Sequence, residues 1–422
     1  MDVREMNTVY YLSVFSHVIK NNNEIIVCHS GNGNSLKMPD DCWESIEKYI
    51  TYYSPSEICN AAHEDDRSYY QEIFSKMADM GLIIKDEYEE RIKSVDLAIT
   101  NRCNLHCAHC CEAAQGEGVN HGLSTQEWKN IIDKICLSDI ETITITGGEP
   151  MLRRDFFDIV EYIRKVYKGA IGLSSNGTFI TEDNVKRIIN IFSDISISID
   201  GYDENTCSKL RGPGIFKKVI DAVRLLIKSG FDSKRISLSM VETAITSGKR
   251  ELFEKLCSDL DVRPVVREFS KAGRGAENAD WLCISQENKP RHRMAGYDKL
   301  KNEMALVRPS CDCCSAGRTR ISINYIGDIY PCLPLENEKF CFGNMRDVED
   351  LRNYFDNACN NSRGYCNFQA ILAKKRERCS QCNVAPFCVG CLESFEREIE
   401  EFGIDAICKE NKEYLQEAIW GK

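Results

Sequence analysis

The sequence holds one run, Thr100-Asn101-Arg102-Cys103-Asn104-Leu105-His106-Cys107-Ala108-His109-Cys110, in which three thiols stand at C-x3-C-x2-C spacing. Cysteine thiolate is the usual ligand of iron in an iron–sulfur cubane. Three thiolates hold three irons of a 4Fe–4S cluster and leave the fourth without a protein ligand. An open coordination position is what separates a reactive metal site from a structural one. A zinc knuckle or a group of buried free thiols would use the same residues, so the triplet by itself leaves both alternatives open.

Three further stretches carry groups able to bind a small polar ligand. In Thr146-Gly147-Gly148-Glu149-Pro150 the paired glycines, lacking Cβ, let backbone approach a ligand closely, and Glu149 can accept from an ammonium group. Ser174-Ser175-Asn176-Gly177 is a polar turn, and Ser196-Ile197-Ser198-Ile199-Asp200-Gly201 is followed by Arg211-Gly212-Pro213-Gly214. A planar guanidinium suits a carboxylate; a surface ion pair is the plainer use of Arg211.

The elements that must position these residues alternate. Strands are predicted at 97–100, 142–146, 170–174, 194–199, 235–240 and 263–269, the first within an apolar run that begins at Val95. Helical patterns fall between them at 125–137, 155–167, 182–192, 216–228 and 251–260. Such a βα series buries parallel strands under helices. Six units predict an α/β fold with a partial (β/α)6 barrel over 93–275, and in βα barrels chemistry sits at the C-terminal strand ends. All four stretches fall there.

Ahead of it, residues 1–92 read as a separate unit: a strand at 24–28, a turn at 31–34, and three short helices. The first helix has Asp40 or Asp41 as N-cap and Trp43, Ile46 and Ile50 on one face. The second starts at Pro55, and the third carries Tyr69, Ile73, Phe74 and Met77 and stops at Gly81. This pattern suggests a small winged-helix-like domain, or a non-specific cap on the barrel. Residues 276–310 are polar, broken by Pro290 and Pro309, and read as a bridge. Residues 311–422 form a cysteine field with a hairpin around Gly327 and the run Cys379-x2-Cys382-x5-Cys388-x2-Cys391, then Cys408.

The 422 residues predict two or three domains, and the net charge of −11 argues against a general nucleic-acid or anionic-membrane partner. No apolar run approaches a membrane span and the N-terminus has no secretory pattern, so a cytoplasmic location is expected. Of 23 cysteines, 12 lie between Cys311 and Cys408; without a secretory signal, such density points to metal rather than disulfides. Two CxxC pairs suit zinc, but only five residues part them, and Cys314, Cys332 and Cys408 are left over. Cys28, Cys42, Cys59, Cys136, Cys207 and Cys257 fall inside regular elements and read as core, whereas Cys111, Cys283, Cys341, Cys359 and Cys366 have no assignment.

In this order and spacing, the stretches between Val95 and about Gly275 resemble the signature of radical S-adenosylmethionine enzymes, and the C-terminal cysteines resemble the SPASM extension. The whole is similar to maturases of ribosomally made peptides, such as thioether-forming sactipeptide and ranthipeptide synthases. The resemblance implies that Cys103, Cys107 and Cys110 ligate a cluster whose open iron is chelated by the methionine moiety. His109 fills the place of a ring side chain that is Tyr or Phe in many members. Gly147, Gly148 and Glu149 would meet the amino group, Ser174, Asn176 and Ser198 the ribose, and Arg211 the carboxylate, with Asp200 among the cofactor-binding residues. Two auxiliary 4Fe–4S clusters are implied, one on Cys379, Cys382, Cys388 and Cys408. The other would use Cys314, Cys332 and Cys391, with Cys311 preferred to Cys313 as fourth ligand. The family usually has three residues between the last paired cysteines; here Cys388 and Cys391 have two.

Residues 1–92 look like the peptide-recognition domains of such maturases, where an exposed sheet edge takes the leader peptide as an added strand. The implied partners are a precursor peptide with a leader and a flavodoxin- or ferredoxin-type electron donor, with no nucleic acid or membrane. The implied reaction makes a 5′-deoxyadenosyl radical, abstracts hydrogen from the peptide and forms a cross-link such as a thioether. An anaerobic sulfatase-maturase-like enzyme and a non-catalytic zinc scaffold are the alternatives.

Overall fold

Runs of β-branched residues alternate with amphipathic helices from Ser94 onward, and the computed structural model shows them paired as parallel strands. It describes residues 3–13, 15–29, 33–85, 91–114, 122–284, 314–372 and 375–421. These fall into two compact units. One contains the described residues of 91–284 and 316–368; the other contains those of 1–90, 314–315 and 369–421.

The first-mentioned unit is built on strands β4 (Ser94–Ala98), β5 (Thr142–Thr146), β6 (Ala170–Ser175), β7 (Asp194–Ser198), β8 (Ile236–Glu242) and β9 (Arg263–Glu268). They lie side by side in chain order, all parallel. Val95, Leu97, Ile143, Ile145, Ile171, Leu173, Ile195 and Ile197 alternate along them and are buried. The helices between bury one face each. In α4 (Thr125–Cys136) that face is Trp128, Ile131, Ile132 and Ile135, and a capping box between Ser124 and Glu127 fixes its start. The register pairs Ala98 with Thr146, Ser174 with Ser196, and Ser198 with Ser239. The four chemistry-bearing stretches therefore leave the sheet at one edge.

The free edge of β4 is covered by part of the cysteine field. Strand β10 (Arg320–Ile323) pairs parallel to it, and β11 (Asp328–Tyr330) and β12 (Gly343–Asn344) continue antiparallel. Arg320 donates from Nε and Nη2 to both oxygens of Asp96, each at 2.7 Å, so a buried carboxylate on β4 gains its counter-ion from the added strand. The expected hairpin thus extends the barrel sheet, and the division at residue 311 cuts across a compact unit.

The other unit contains an antiparallel sheet of β1 (Ser16–Asn21), β2 (Glu24–His29) and β3 (Ser35–Pro39), followed by α1 (Asp40–Tyr49), α2 (Pro55–Ala61) and α3 (Arg67–Asp79). The helix pattern is as expected, but Asp40 is the first helical residue and Pro39 the cap, since proline's fixed φ suits that boundary. One sheet face packs Val27 and Met38 against Trp43, Ile46, Phe74 and Met77. The other face, Ile19, Ile26 and Cys28, packs against Val384, Phe387, Leu415 and Trp420. Trp420 lies on α11 (Ile404–Trp420), which follows α10 (Leu392–Phe402). Its indole Nε1 donates to Asn383 O at 3.1 Å, and the Lys37 ammonium sits 5.5 Å from its ring. The sheet is thus covered on both faces, the second time by chain some 360 residues away.

Strands β1 and β3 and the short helix α7 (Glu204–Arg211) have no counterpart among the sequence expectations. Of the bridge expected at 276–310, the described part carries a short helix at Ala279–Leu282, while residues 285–310, residues 31 and 32 of the expected turn, Cys311 and Cys313 lie outside the described residues. Trp420→Ala is expected to lower the stability of the unit containing β1 to β3 by about 3–5 kcal/mol, the cost of emptying a large buried aromatic site. Denaturant unfolding of the full chain, followed by circular dichroism, measures it.

Candidate active site

Strand β4 stops at Ala98 because the chain must then turn across the neighbouring strand. Ile99 N donates to Thr146 O at 3.0 Å, Gly148 N to Thr100 O at 2.8 Å, and Glu149 N to Arg102 O at 2.7 Å. The thiol loop is therefore laced to the segment after β5. A Cβ on Gly147 would lie 2.2 Å from Thr100 O, and one on Gly148 2.3 Å from Arg102 O. Both glycines are required by the loop itself, before any ligand is considered.

Cys103, Cys107 and Cys110 sit on that loop, with Cys107 buried and the other two half-buried. Burial pushes the Cys107 thiol up to about 11 and raises Cys103 as well. Leu105 N donates to Cys103 Sγ at 3.4 Å, and Asn176 Nδ2 approaches the same sulfur at 3.9 Å. Among the described residues no three His, Cys, Asp or Glu side chains converge at the spacing a single metal ion needs. The donor set is three thiols of one loop whose backbone is held from outside, which fits a cluster with one open iron. A metal held there would have to displace the protons of Cys103 and Cys107, which burial favours.

Glu149 is fully buried. Oε1 accepts from Met151 N at 3.1 Å and Ser175 Oγ at 2.9 Å, and Oε2 from Asn176 N at 2.8 Å. Burial nevertheless raises its carboxyl to about 7, and among the described residues no cation lies within ion-pair distance. A buried carboxylate without a counter-ion fits a site for a ligand ammonium. Ser175 is the strand residue that meets Glu149; Ser174, singled out from the sequence, lies on the alternate face of β6. Asn176 also donates to Asn104 Oδ1 at 2.9 Å and so ties the turn after β6 to the thiol loop.

Asp200 is the second buried carboxylate, and its surroundings are the opposite. It has φ +49°, a left-handed position that Asp tolerates. His109 Nε2 donates to Oδ2 at 2.9 Å, Arg211 donates through Nε and Nη2 at 2.5 Å, and Val241 N donates to Oδ1 at 2.5 Å. Against the cost of burial, Arg211 and then His109 hold its carboxyl well below the usual range. His109 is explained by this contact, since Tyr or Phe has no ring N–H to give Asp200. Its Nδ1 is buried with no partner among the described residues. Two arms of the Arg211 guanidinium are taken by Asp200. Ser198 Oγ is 3.3 Å from Ser239 Oγ on β8.

Sequence reasoning missed the residues after β9. Arg274, itself buried, donates from Nε to Cys107 O at 3.1 Å and from Nη1 to Ala114 O at 2.7 Å, and its backbone N to Cys110 O at 3.0 Å. Asn278 Nδ2 adds Ala108 O at 3.1 Å. A Cβ on Gly273, at φ +51°, would lie 2.5 Å from Cys111 O. The signal was the Gly273-Arg274-Gly275 run at a strand end, where every other motif also falls.

In the C-terminal field, Cys379, Cys382, Cys388 and Cys408 all belong to the unit with β1 to β3. Burial pushes Cys379 up to about 11, with further upward pressure from Cys408 and Cys382 nearby. Cys382 N donates to Cys379 O at 3.0 Å, and Cys382 and Cys388 pack against the Ile19 and Ile26 cluster. Cys314 and Cys391 belong to the same unit, and Cys332 to the barrel unit. Cys359 is buried as core; Cys341 donates to Gly343 O, Cys366 to Asn360 O, and Cys111 approaches Glu112.

Two outcomes are expected. Arg274→Ala takes the side-chain donor from the Ala114 carbonyl and leaves the Cys107 carbonyl with Cys110 N alone, which costs on the order of 2 kcal/mol in loop stability. Iron and sulfide analysis of anaerobically reconstituted protein should show less metal than wild type, with Arg274→Lys between. The second concerns pH. Because Glu149 is raised in the folded chain, its contribution to stability is present below the ordinary carboxyl range and lost as pH rises through about 7. The melting temperature of wild type without S-adenosylmethionine should therefore fall between pH 6 and pH 8 relative to that of Glu149→Gln.

Residues 97–246 match the radical SAM superfamily, and residues 313–383 match SPASM, an iron–sulfur cluster-binding domain. The mycofactocin maturase MftC of Mycolicibacterium smegmatis is 28% identical over 62% of this chain and 69% of its own length. A probable GTP 3′,8-cyclase of Methanococcus maripaludis is 24% identical over 67% of this chain and 99% of its own. Among solved structures, Streptococcus suis SuiB bound to the precursor peptide SuiA superposes with a TM-score of 0.57 over 95% of this chain and 100% of that one, at 14% identity, a likeness of fold. With the thiol loop and strand-end motifs inside one match and the cysteine field inside the other, the chain belongs to the radical S-adenosylmethionine enzymes that carry a SPASM extension.

Proposed function

We propose that this enzyme modifies a ribosomally made precursor peptide, whose leader is held by a winged-helix-like domain at 1–92, and forms a cross-link such as a thioether. The observation that carries the reading is a complete thiol-loop site in a chain that also has the β1–β3 sheet and its three helices. The likeness to MftC, a maturase, and to SuiB, solved with a precursor peptide, supports it. The exposed edge of β1 or β3 is where a leader strand would add.

Cys103, Cys107 and Cys110 would hold the cluster that binds S-adenosylmethionine. When bound, that pair supplies a 5′-deoxyadenosyl radical able to take hydrogen from an unactivated carbon. Glu149 would accept from the methionine ammonium, with Ser175 and the Asn176 amide fixing its orientation. Arg211, steadied by Asp200, would present its remaining arm to the carboxylate, and Ser174, Asn176 and Ser198 would border the ribose. Gly147 and Gly148 let the thiol loop close over this wall. Cys379, Cys382, Cys388 and Cys408 would hold one auxiliary cluster, and Cys314, Cys332 and Cys391 with Cys311 would serve the other, giving three clusters. A flavodoxin- or ferredoxin-type protein in the cytoplasm would supply the electron.

The test is mass spectrometry of precursor peptides encoded beside the gene after anaerobic reaction with the reconstituted enzyme. A mass loss of two hydrogens, accompanied by 5′-deoxyadenosine, is expected. Changing Cys103, Cys107 and Cys110 together to Ala should abolish both; 5′-deoxyadenosine from that folded variant would overturn the assignment. Protein that carries zinc and no iron or sulfide would favour the scaffold alternative.

A further inference from the structure

The helical side of the unit containing β1 to β3 has a pocket that none of the roles above uses. It encloses about 430 Å³ and is lined by Tyr49 at the end of α1, Tyr53 beyond it, Glu57, Ile58 and Ala61 of α2, and Tyr70 of α3. A separate groove beside β3 is lined by Lys37, Lys76 and Met80, so the tyrosine pocket lies at the other end of α3 from the sheet edge.

Its chemistry is specific. Tyr49 and Tyr53 meet edge to face with centroids 5.8 Å apart, which fixes both rings. The face of Tyr49 already takes a cation, since the Lys48 ammonium lies 4.9 Å from its centroid. Glu57 spends Oε2 on the capping box, accepting from Ser54 N and Oγ at 2.8 Å each, while Oε1 has no partner among the described residues. Those Ser54 donors hold its carboxyl below the usual range, so it is charged at neutral pH. Ile58 and Ala61 give an apolar wall. From Asp40 to Asp66 the chain carries eight carboxylates and one lysine, so the field around the pocket is negative.

We infer that this pocket binds a basic side chain, arginine or lysine, of the peptide substrate, with the tyrosine rings taking the cation, Glu57 neutralising it and the apolar wall covering its methylene stem. An alkyl stem ending in a cation matches a site of that composition, and the volume suits one side chain with part of its neighbour. The inference rests on the peptide-maturase reading for the identity of its ligand. It places a second recognition point away from the sheet edge, read by charge rather than by backbone pairing.

The test uses the full chain with N-acetyl-arginine methylamide as probe and the citrulline analogue, of equal shape and no charge, as control. Saturation-transfer NMR should show saturable binding of the arginine compound, weakened by salt, and little of the citrulline compound. Glu57→Gln keeps the capping box, since Gln serves at that position, and should weaken binding roughly two- to fivefold; Tyr53→Ala should do the same. Equal binding of citrulline, or unchanged affinity in both variants, overturns the proposal. So does self-association in sedimentation velocity that Tyr53→Ala abolishes, because the pocket is then an interface between copies. Release of 5′-deoxyadenosine with precursor peptide is measured on the same samples. Its absence alongside intact arginine binding counts against the maturase reading and leaves the pocket standing.

Discussion

A stretch of irregular backbone between Thr100 and Ala114 has to be held in one shape, and its own backbone bonds, Cys110 N to Cys107 O and Ala113 N to Cys110 O, are long at 3.3 and 3.4 Å. Buried carbonyls need donors, and this loop forms neither helix nor strand. Its other donors come from elsewhere: Gly148 N and Glu149 N after β5, the Arg274 guanidinium and amide after β9, and Asn278 beyond it. Each supplier stands at the same sheet edge because parallel register puts the strand ends there. The glycines follow from the same need, since the backbones approach closer than any Cβ allows. The thiols are positioned by long-range backbone pairing, and a change in any supplier reaches Cys103, Cys107 and Cys110 without touching them.

The two buried carboxylates show how one edge makes two different groups from the same chemistry. Asp200 is surrounded by donors, the Arg211 guanidinium among them, and stays ionised. Glu149 accepts only neutral donors, and burial raises it to about 7. The environment pushes the pair apart, as desolvation and opposite charge do separately. Asp200 is satisfied within the protein and works as a fastening, joining the thiol loop through His109 to α7 through Arg211. Glu149 is held by neutral donors alone and keeps the full cost of its burial. The difference separates a carboxylate satisfied within the protein from one that is not.

Much of this was legible in the sequence because it is local. The βα alternation, the thiol spacing and the position of GGEP after a strand all follow from period and punctuation within about thirty residues. What escaped depends on distant chain. Arg274 looks like any surface arginine until its partners at Cys107 and Ala114 are known. Choosing Ser174 over Ser175 turns on which face of β6 meets Glu149, and a one-residue difference in a strand reverses the face. The hairpin at 320–330 reads correctly as a hairpin, yet its place beside β4 depends on Asp96, more than two hundred residues earlier. Nor does the pattern of 16–39 reveal that its second face is met by Leu415 and Trp420.

The cysteines sort by the same logic. Cys28, Cys207 and Cys257 sit on regular elements, are fully buried and behave as small apolar side chains. Cys136, expected with them, is only half-buried at the last turn of α4. Cys103, Cys107 and Cys110 differ in the backbone that bears them, a loop fixed from three sides with its thiols turned toward one another's fields. Burial favours the neutral thiol at Cys103 and Cys107, so metal binding there would be coupled to local order. Cys379 and Cys382 sit on a short helix and the turn after it, whereas Cys408 lies on the first turns of α11. Helix placement alone does not decide between the two uses: Cys207 on α7 is fully buried core, whereas Cys408 on α11 is only half-buried.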